Sequence, residues 1–235
     1  MGVYLYPSGT ETWLKNAYIV EYKWQPWSNT LAYYPLEENT NDYSGNWHNW
    51  TPTSITYTTL ASWKKVSVYT QGSSILNIGT IWWVYPNFTA SIWIKFSWNN
   101  SAKARIWCID GTNSWRTLLQ PRKNTSWYIE MSTYNGSKET NQSLWISPSD
   151  WKNFVVTLNS GVLYGYVNGV YVASMNSKYG GWSQSLSYPS SIGSESASAT
   201  NWWWGYMSEA ILESKTRTAQ EISNYYNSTK SNYGL

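Results

Sequence analysis

Two acidic side chains near the end of the chain have the residue type that acid–base chemistry requires. Glu209 and Glu213 lie four residues apart in a run that reads as a β-strand. Side chains at this spacing share a face of the strand but are separated by roughly 13 Å. Glycoside hydrolases hold their two carboxyl groups about 5–5.5 Å apart when they retain configuration and about 6.5–9.5 Å apart when they invert it. The spacing therefore disfavours a hydrolase built on this pair.

The chain has one histidine and one cysteine, which limits nucleophilic and metal chemistry. His48 lies in a polar turn of Asn and Trp, with neither a plausible Ser or Cys nucleophile nor a second ligand close in sequence. A single cysteine, Cys108, excludes an internal disulfide and a cysteine-based zinc site. We interpret His48 as a turn residue and Cys108 as a small buried hydrophobe in a strand.

The tryptophans are the compositional outlier, with 19 in 235 residues. Exposed indole rings bind sugars by stacking on the pyranose, while Asn, Ser and Tyr side chains hydrogen-bond the hydroxyls. Trp93 alternates within an apolar strand, so we assign it to the core. Adjacent residues of a strand face opposite ways, so only part of each remaining cluster can share one exposed face. The candidate sugar platforms are Trp82, Trp83, Trp202, Trp203 and Trp204.

Short runs rich in Val, Ile, Tyr, Trp and Thr, separated by Gly, Asn, Ser and Pro, are typical of an all-β sandwich. Asn168-Gly169 between two such runs predicts a type I′ hairpin. Thr218 and Glu221 form a capping box that predicts one short helix over 217–229. The predicted strands are Leu31–Leu36, Ser54–Thr59, Ser74–Ile78, Phe88–Phe96, Ala104–Asp110, Trp127–Ser132, Trp151–Asn159, Val162–Val167, Val170–Met175 and Gly205–Glu213. We expect residues 1–28 to be a lead-in segment or linker and residues 29–235 to be one domain.

Charge and hydropathy exclude two classes of partner. Charged residues make up 12% of the chain, and the net charge of +3 comes from scattered Lys and Arg rather than from a basic stripe. This pattern disfavours nucleic-acid binding. No apolar run approaches the roughly 18 residues that a bilayer crossing needs, and the first residues lack the pattern of an export signal. The surface must therefore be neutral and rich in hydroxyl and amide groups.

Several segments resemble the laminin-G-like, concanavalin A-like jelly-roll family in their order along the chain. Leu31–Leu36 is followed by the turn Asn41-Asp-Tyr-Ser-Gly-Asn46, and later come 88–95, 150–157, the Asn168-Gly169 hairpin, and 205–212 before the final helix. The resemblance implies two antiparallel sheets in a jelly roll with the helix packed at one edge. It also implies that Trp151 is a buried scaffold residue.

The family resemblance bears on catalysis and on calcium. Enzymes of the superfamily carry the motif Glu-x-Asp-x-x-Glu, which is absent from this sequence. Members often bind one Ca²⁺ at the rim through hard oxygen ligands, and Asp42 and Asn46 are the matching positions, with Glu209 as a further ligand. The alternative is that Asp42 makes an Asx turn that continues into Gly45 without metal.

Other tryptophans occupy places where a turn usually needs glycine. These places are Trp47, Trp50, Trp63, Trp115, Trp127 and Trp182. A bulky residue at positive φ costs on the order of 1 kcal/mol or more. One hypothesis is that the source organism reads UGA as glycine and that some of these codons were translated as tryptophan; UGG at codons 47 and 50 would contradict it. In that case part of the tryptophan excess says nothing about sugar binding.

Three functions stay open at this point. The first is a non-catalytic carbohydrate-binding or adhesion module of a larger multidomain surface protein, which binds a glycan or cell-surface polysaccharide. The second is a structural or receptor-contact module of a phage tail or surface protein without sugar binding. The third is a glycoside hydrolase with an unrecognised site. For the first two we expect an extracellular, cell-surface or virion location, without insertion into a membrane.

Overall fold

The computed structural model describes residues 29–46, 48, 52–70, 72–80, 87–96, 106–108, 122–123, 129–134, 139–144, 150–176, 189–193 and 203–235. The strands are β1 (Thr30–Tyr34), β2 (Pro52–Thr53), β3 (Thr56–Thr59), β4 (Lys65–Tyr69), β5 (Ile75–Thr80), β6 (Phe88–Phe96), β7 (Trp107–Cys108), β8 (Arg122–Lys123), β9 (Ile129–Tyr134), β10 (Glu139–Ser143), β11 (Lys152–Asn159), β12 (Val162–Val167), β13 (Val170–Asn176), β14 (Pro189–Ile192) and β15 (Gly205–Glu213). The helix α1 (Ala219–Thr229) and a 3-10 turn (Lys230–Tyr233) follow them.

The strands form one large antiparallel sheet and two smaller ones. The large sheet has the order β13-β12-β11-β6-β15-β4-β3, and β1 also pairs with β15. The smaller sheets have the orders β2-β5-β14-β7 and β10-β9-β8. β15 pairs with β4 through 205–207 and with β1 through 210–213, so its neighbour changes midway. The all-β, antiparallel sandwich with one short C-terminal helix that the sequence predicts is confirmed.

The main core lies between the large sheet and the two smaller sheets. Ile92 and Ile94 of β6 pack in the same cluster as Leu76 of β5, Met131 of β9 and Ile192 of β14. Strand alternation puts Trp93 on the opposite side of β6, and it is fully buried there as well. Both faces of the central strand are therefore covered, one by the smaller sheets and the other by the C-terminal segment.

The local signals predict their elements well. The hairpin between β12 and β13 turns at Asn168 and Gly169, which have φ of +51° and +78°. Thr218 caps α1, and its side chain accepts from the Glu221 backbone while Glu221 reaches back to Thr218, as the capping box predicts. The prediction of residues 1–28 as a lead-in lies outside the described residues. None of the described helices has the length and apolar composition needed to cross a membrane.

The helix position differs from the expectation of packing at a sheet edge. α1 and the 3-10 turn lie on the outer face of the large sheet, where Tyr225 packs with Ile211, Ile222 with Val155, and Tyr233 with Trp93. An amphipathic helix buries most area against the middle of a sheet, so an apolar outer face on the central strands draws it there. Five strands (β2, β4, β8, β10 and β14) were not among the predicted runs.

Candidate functional site

The predicted metal ligand Asp42 forms a hydrogen-bonded turn against the edge of β1. Its carboxylate accepts from the backbone N–H of Tyr33 at 3.0 Å, of Ser44 at 2.8 Å and of His48 at 3.1 Å, and from the Ser44 hydroxyl at 2.8 Å. Two carboxylate oxygens offer about four lone-pair sites, and these four donors match that number. The bond to Ser44 two residues on is an Asx turn, the alternative that the sequence left open.

The Asn46 side chain joins the same turn to β1 by hydrogen bonds. Its side-chain N–H groups donate to the carbonyls of Thr30 at 2.8 Å and Leu31 at 3.0 Å. Gly45 reaches φ of +88° between these residues, a conformation that favours glycine. The turn therefore supplies β1 with hydrogen bonds along the edge opposite β15.

Glu209 has different partners, in a β-bulge of β15. It has φ of +49° at the point where β15 changes neighbour from β4 to β1. Its carboxylate accepts from the Lys64 ammonium at 2.7 Å and from the Tyr225 hydroxyl at 2.7 Å. Burial alone would lower the pKa of Lys64, but Glu209 and Glu37 raise it and keep the ammonium charged. Glu209 thus ties the hairpin β3–β4 and α1 to the bulge.

Asp42, Asn46 and Glu209 do not combine into a donor set that fits calcium. The carboxylate of Asp42 is satisfied by protein donors, and a cation already neutralises Glu209. Among the described residues, no group of three or more His, Cys, Asp and Glu side chains is placed to hold a metal. Calcium binding stays a prediction that the arrangement of these three residues does not support.

Glu213, the second acidic candidate, forms a buried ion pair. Its carboxylate accepts from Nε of Arg217 at 2.5 Å, and neither side chain is exposed. Burial raises the pKa of Glu213 more than the Arg217 guanidinium lowers it. Each of the two strand carboxylates therefore has its own cation on the helix-covered side of the sheet, and the pair is not placed as an acid and a nucleophile.

The described tryptophans divide into core residues, the half-buried Trp204 and the exposed Trp63. Trp93 stacks on Tyr233 with ring centroids 4.0 Å apart, and Trp151 lies 4.9 Å from the same ring, so both are scaffold. Trp203 has no exposed area and packs 4.3 Å from Phe96, so its assignment as a sugar platform is corrected to a core position. Trp204 is half-buried. Trp82, Trp83 and Trp202 lie outside the described residues.

Three tyrosines on β12 and β13 form a cluster that the sequence analysis missed: Tyr166 is buried against Ile222 of α1, Tyr164 is half-buried, and Tyr171 is exposed. Tyr164 and Tyr166 are two apart on β12 and share a face, and Tyr171 of β13 lies opposite Tyr166. The ring centroid of Tyr171 is 6.5 Å from that of Tyr164 and 5.8 Å from that of Tyr166. Tyr171 is 50% exposed. We call Tyr164, Tyr166 and Tyr171 the tyrosine face.

A cavity of about 290 Å³ adjoins this face. It lies between β11–β12 and the residues that lead into α1. The walls combine phenol rings with hydroxyl and amide groups, and the one cation among them, Arg217, is ion-paired to Glu213. The lining residues are Thr157, Asn159, Tyr164, Tyr166, Thr216, Arg217, Thr218 and Ala219.

The combination of aromatic and neutral polar groups is the chemistry of sugar recognition. An aromatic ring packs against the apolar side of a sugar, and hydroxyl and amide groups hydrogen-bond its edges. The alternating Tyr164 and Tyr166 in the β12 sequence were a signal for a shared face. No local sequence pattern indicates that the start of α1 borders them.

The family profile of the concanavalin A-like lectin/glucanases superfamily matches residues 83–223, more than half of the chain. The chain belongs to this superfamily. Its members include both enzymes and non-enzymes, so membership leaves catalysis open. No protein with a curated description matches the chain.

Solved structures with low sequence identity share the fold. Domain 4 of AbnA, an extracellular arabinanase of Geobacillus stearothermophilus solved with arabinotriose, superposes with a TM-score of 0.67 at 16% identity, covering 83% of this chain and 97% of that domain. The receptor-binding domain of a botulinum neurotoxin C/D mosaic serotype gives 0.64 at 15% identity, covering 85% and 51%. A structure concerned with cell entry of botulinum neurotoxin type C, dependent on two ganglioside molecules, gives 0.61 at 14%, covering 85% and 51%. The chain spans about half of the toxin chains, and the likeness shows the fold.

Proposed function

We propose that this chain is a non-catalytic carbohydrate-binding module of a larger extracellular or cell-surface protein, and that the tyrosine face holds the sugar. The observation that carries the proposal is a cavity lined by Tyr164, Tyr166 and hydroxyl and amide groups, with the half-exposed Tyr171 ring next to these two tyrosines. A fold shared with an arabinotriose-bound domain supports the same class of ligand.

The cavity supports a further expectation about the size and charge of the sugar. About 290 Å³ is at the lower end of ligand pockets, which span about 300–1,000 Å³. A terminal mono- or disaccharide unit fits such a volume better than a long internal segment of a polysaccharide. The cation at its wall is neutralised by Glu213, so a neutral sugar matches the site better than an acidic one.

A glycan array probed with the purified protein tests the proposal, with and without millimolar calcium. We expect binding to neutral terminal sugars that persists in the presence of a chelator. Loss of binding with chelator would instead support the calcium prediction at Asp42. If no glycan binds under either condition, the carbohydrate proposal is overturned and the structural or receptor-contact module is favoured.

Two matched variants locate the site once a binding glycan is known. Tyr171→Ala removes a ring that is 50% exposed at the site, and Tyr43→Ala removes one that is 45% exposed in the loop after β1. We expect only Tyr171→Ala to weaken binding. Equal losses, or a loss for Tyr43→Ala alone, would place the sugar elsewhere.

A separate experiment tests the hydrolase alternative. If the purified protein releases no products from a broad polysaccharide panel, the result would argue against that alternative.

A further inference from the structure

The hairpin between β3 and β4 ends in a turn that requires a left-handed residue at position 63. The backbone N–H of Trp63 donates to the Leu60 carbonyl at 2.9 Å, and the Leu60 N–H donates to the Lys64 carbonyl at 2.8 Å. Trp63 has φ of +66°. This is the three-residue hairpin loop in which a type I turn is followed by a left-handed residue, a place normally filled by glycine.

The turn is fixed on both sides of Trp63, so it cannot relax to a negative φ at low cost. The Ser62 hydroxyl donates to the Asn232 carbonyl, and the Lys64 ammonium bonds Glu209 at 2.7 Å and Glu37 at 2.5 Å. Leu60 packs against the cluster around Trp93. These contacts set the register and the position of the hairpin.

Packing of the Trp63 indole does little to offset the free-energy cost of the positive φ. It is 87% exposed, so it buries almost no apolar area. At two other non-glycine residues with positive φ, side-chain interactions offset the cost of that conformation. Leu36 is fully buried in the core, and Glu209 bonds Lys64 and Tyr225.

We infer that position 63 is glycine in the protein as its source organism makes it, with UGA as the codon. UGA differs from the tryptophan codon UGG by one base, and some genetic codes read UGA as glycine. Trp93, by contrast, is fully buried and stacks on Tyr233, so we expect UGG at its codon. The inference is independent of the proposed sugar site, because it concerns a turn on β3–β4 and not the tyrosine face on β12–β13.

The source gene and its natural product give the direct test. We expect UGA at codon 63 and UGG at codon 93, and a glycine at position 63 in peptide mass spectra of the protein purified from its source. UGG at codon 63, or tryptophan in that peptide, would overturn the inference.

Variants of the tryptophan-containing chain give a physical test. We expect Trp63→Gly to raise the midpoint of thermal unfolding by roughly 2–4 °C, and Trp63→Asn to raise it as well, because Asn tolerates the left-handed region. Trp63→Ala removes the same indole but keeps a Cβ at positive φ, so it should give the smallest gain of the three. Trp93→Gly is the control and should lower the midpoint strongly.

The same variants test the competing role of Trp63 as a ligand anchor. On the glycan array, Trp63→Gly should bind like the parent chain. A selective loss of glycan binding in Trp63→Gly would overturn the inference and make the exposed indole a contact residue. A lower unfolding midpoint for Trp63→Gly than for Trp63→Ala would also overturn it, because the turn would then not favour glycine.

Discussion

The outer face of the large sheet has two parts, which differ in how far the C-terminal segment covers them. Over β6 and β15 it is covered by α1 and the 3-10 turn, and Trp93 and Ile211 are buried beneath them. Over β12 and β13 it carries the tyrosine face, where Tyr171 is half-exposed. The same sheet thus buries aromatic rings in one part, and in the other it exposes the ring of Tyr171 while α1 still covers Tyr166.

Under the proposed function, one part of the sheet stabilises the fold and the other part binds the ligand. Under the helix, polar groups are paired internally, as in Glu213 with Arg217 and Glu209 with Tyr225. At the tyrosine face the hydroxyls and rings of Tyr164 and Tyr166 border the cavity in which we propose that a sugar binds. Substitutions in the two parts should therefore change different measured quantities.

The largest expected effect comes from removing a ring on the covered side. Trp93→Ala deletes a fully buried indole that stacks on Tyr226 and Tyr233, and it should lower the free energy of unfolding by about 3–5 kcal/mol. Tyr171→Ala, on the exposed side, should change it by less than about 0.5 kcal/mol. Denaturant unfolding of both variants measures the contrast, and similar losses in the two would abolish the distinction.

Ion pairs offer the second contrast. Glu213→Ala leaves the buried Arg217 guanidinium without its carboxylate, and we expect a loss of about 3 kcal/mol in the free energy of unfolding. Glu38→Ala breaks the exposed pair with Lys65, which should cost less than about 1 kcal/mol. Chemical denaturation compares the two, and a Glu213→Ala variant as stable as Glu38→Ala would show that the pair is not buried in solution.

Features set by neighbouring residues were predictable from the sequence. The hairpin at Asn168-Gly169 follows from two residues that tolerate positive φ, and the start of α1 follows from Thr218 and Glu221 three residues apart. The alternation in β6 assigned Trp93 to a buried position without any knowledge of what covers it.

Features set by distant residues were not predictable. The bulge at Glu209 depends on β15 changing partner from β4 to β1, and it alters the strand geometry assumed for Glu209 and Glu213. Trp203 is buried because Phe96 of β6 lies against it, a contact across more than a hundred residues of sequence. No local pattern shows that α1 covers β6, β15 and Tyr166 of β12 and leaves Tyr171 of β13 exposed.

A third prediction refines the role of the tyrosine face. If Tyr171 contributes by stacking, Tyr171→Phe should retain most of the affinity for the sugar, whereas Tyr171→Ala should weaken it about tenfold, equivalent to about 1.4 kcal/mol. Titration calorimetry with the glycan found on the array measures both. A loss in Tyr171→Phe as large as in Tyr171→Ala would mean that the hydroxyl, which donates to Ser174 at 3.1 Å, matters more than the ring.

The smallest expected effects lie at the border between the two parts, where the capping box of α1 adjoins the cavity. The hydrogen bond from Lys215, with the backbone bond from Thr218, lowers the pKa of Glu221 to about 2 from its usual 4.5. A carboxyl with a depressed folded-state pKa stabilises the fold above its unfolded pKa, and this contribution is lost as the pH falls from about 4.5 towards 2. Thr218→Ala should cost about 1 kcal/mol at neutral pH. Glu221→Gln should flatten the stability profile across this acid range, and a profile that is as steep as that of the parent chain would assign the acid sensitivity to other carboxylates.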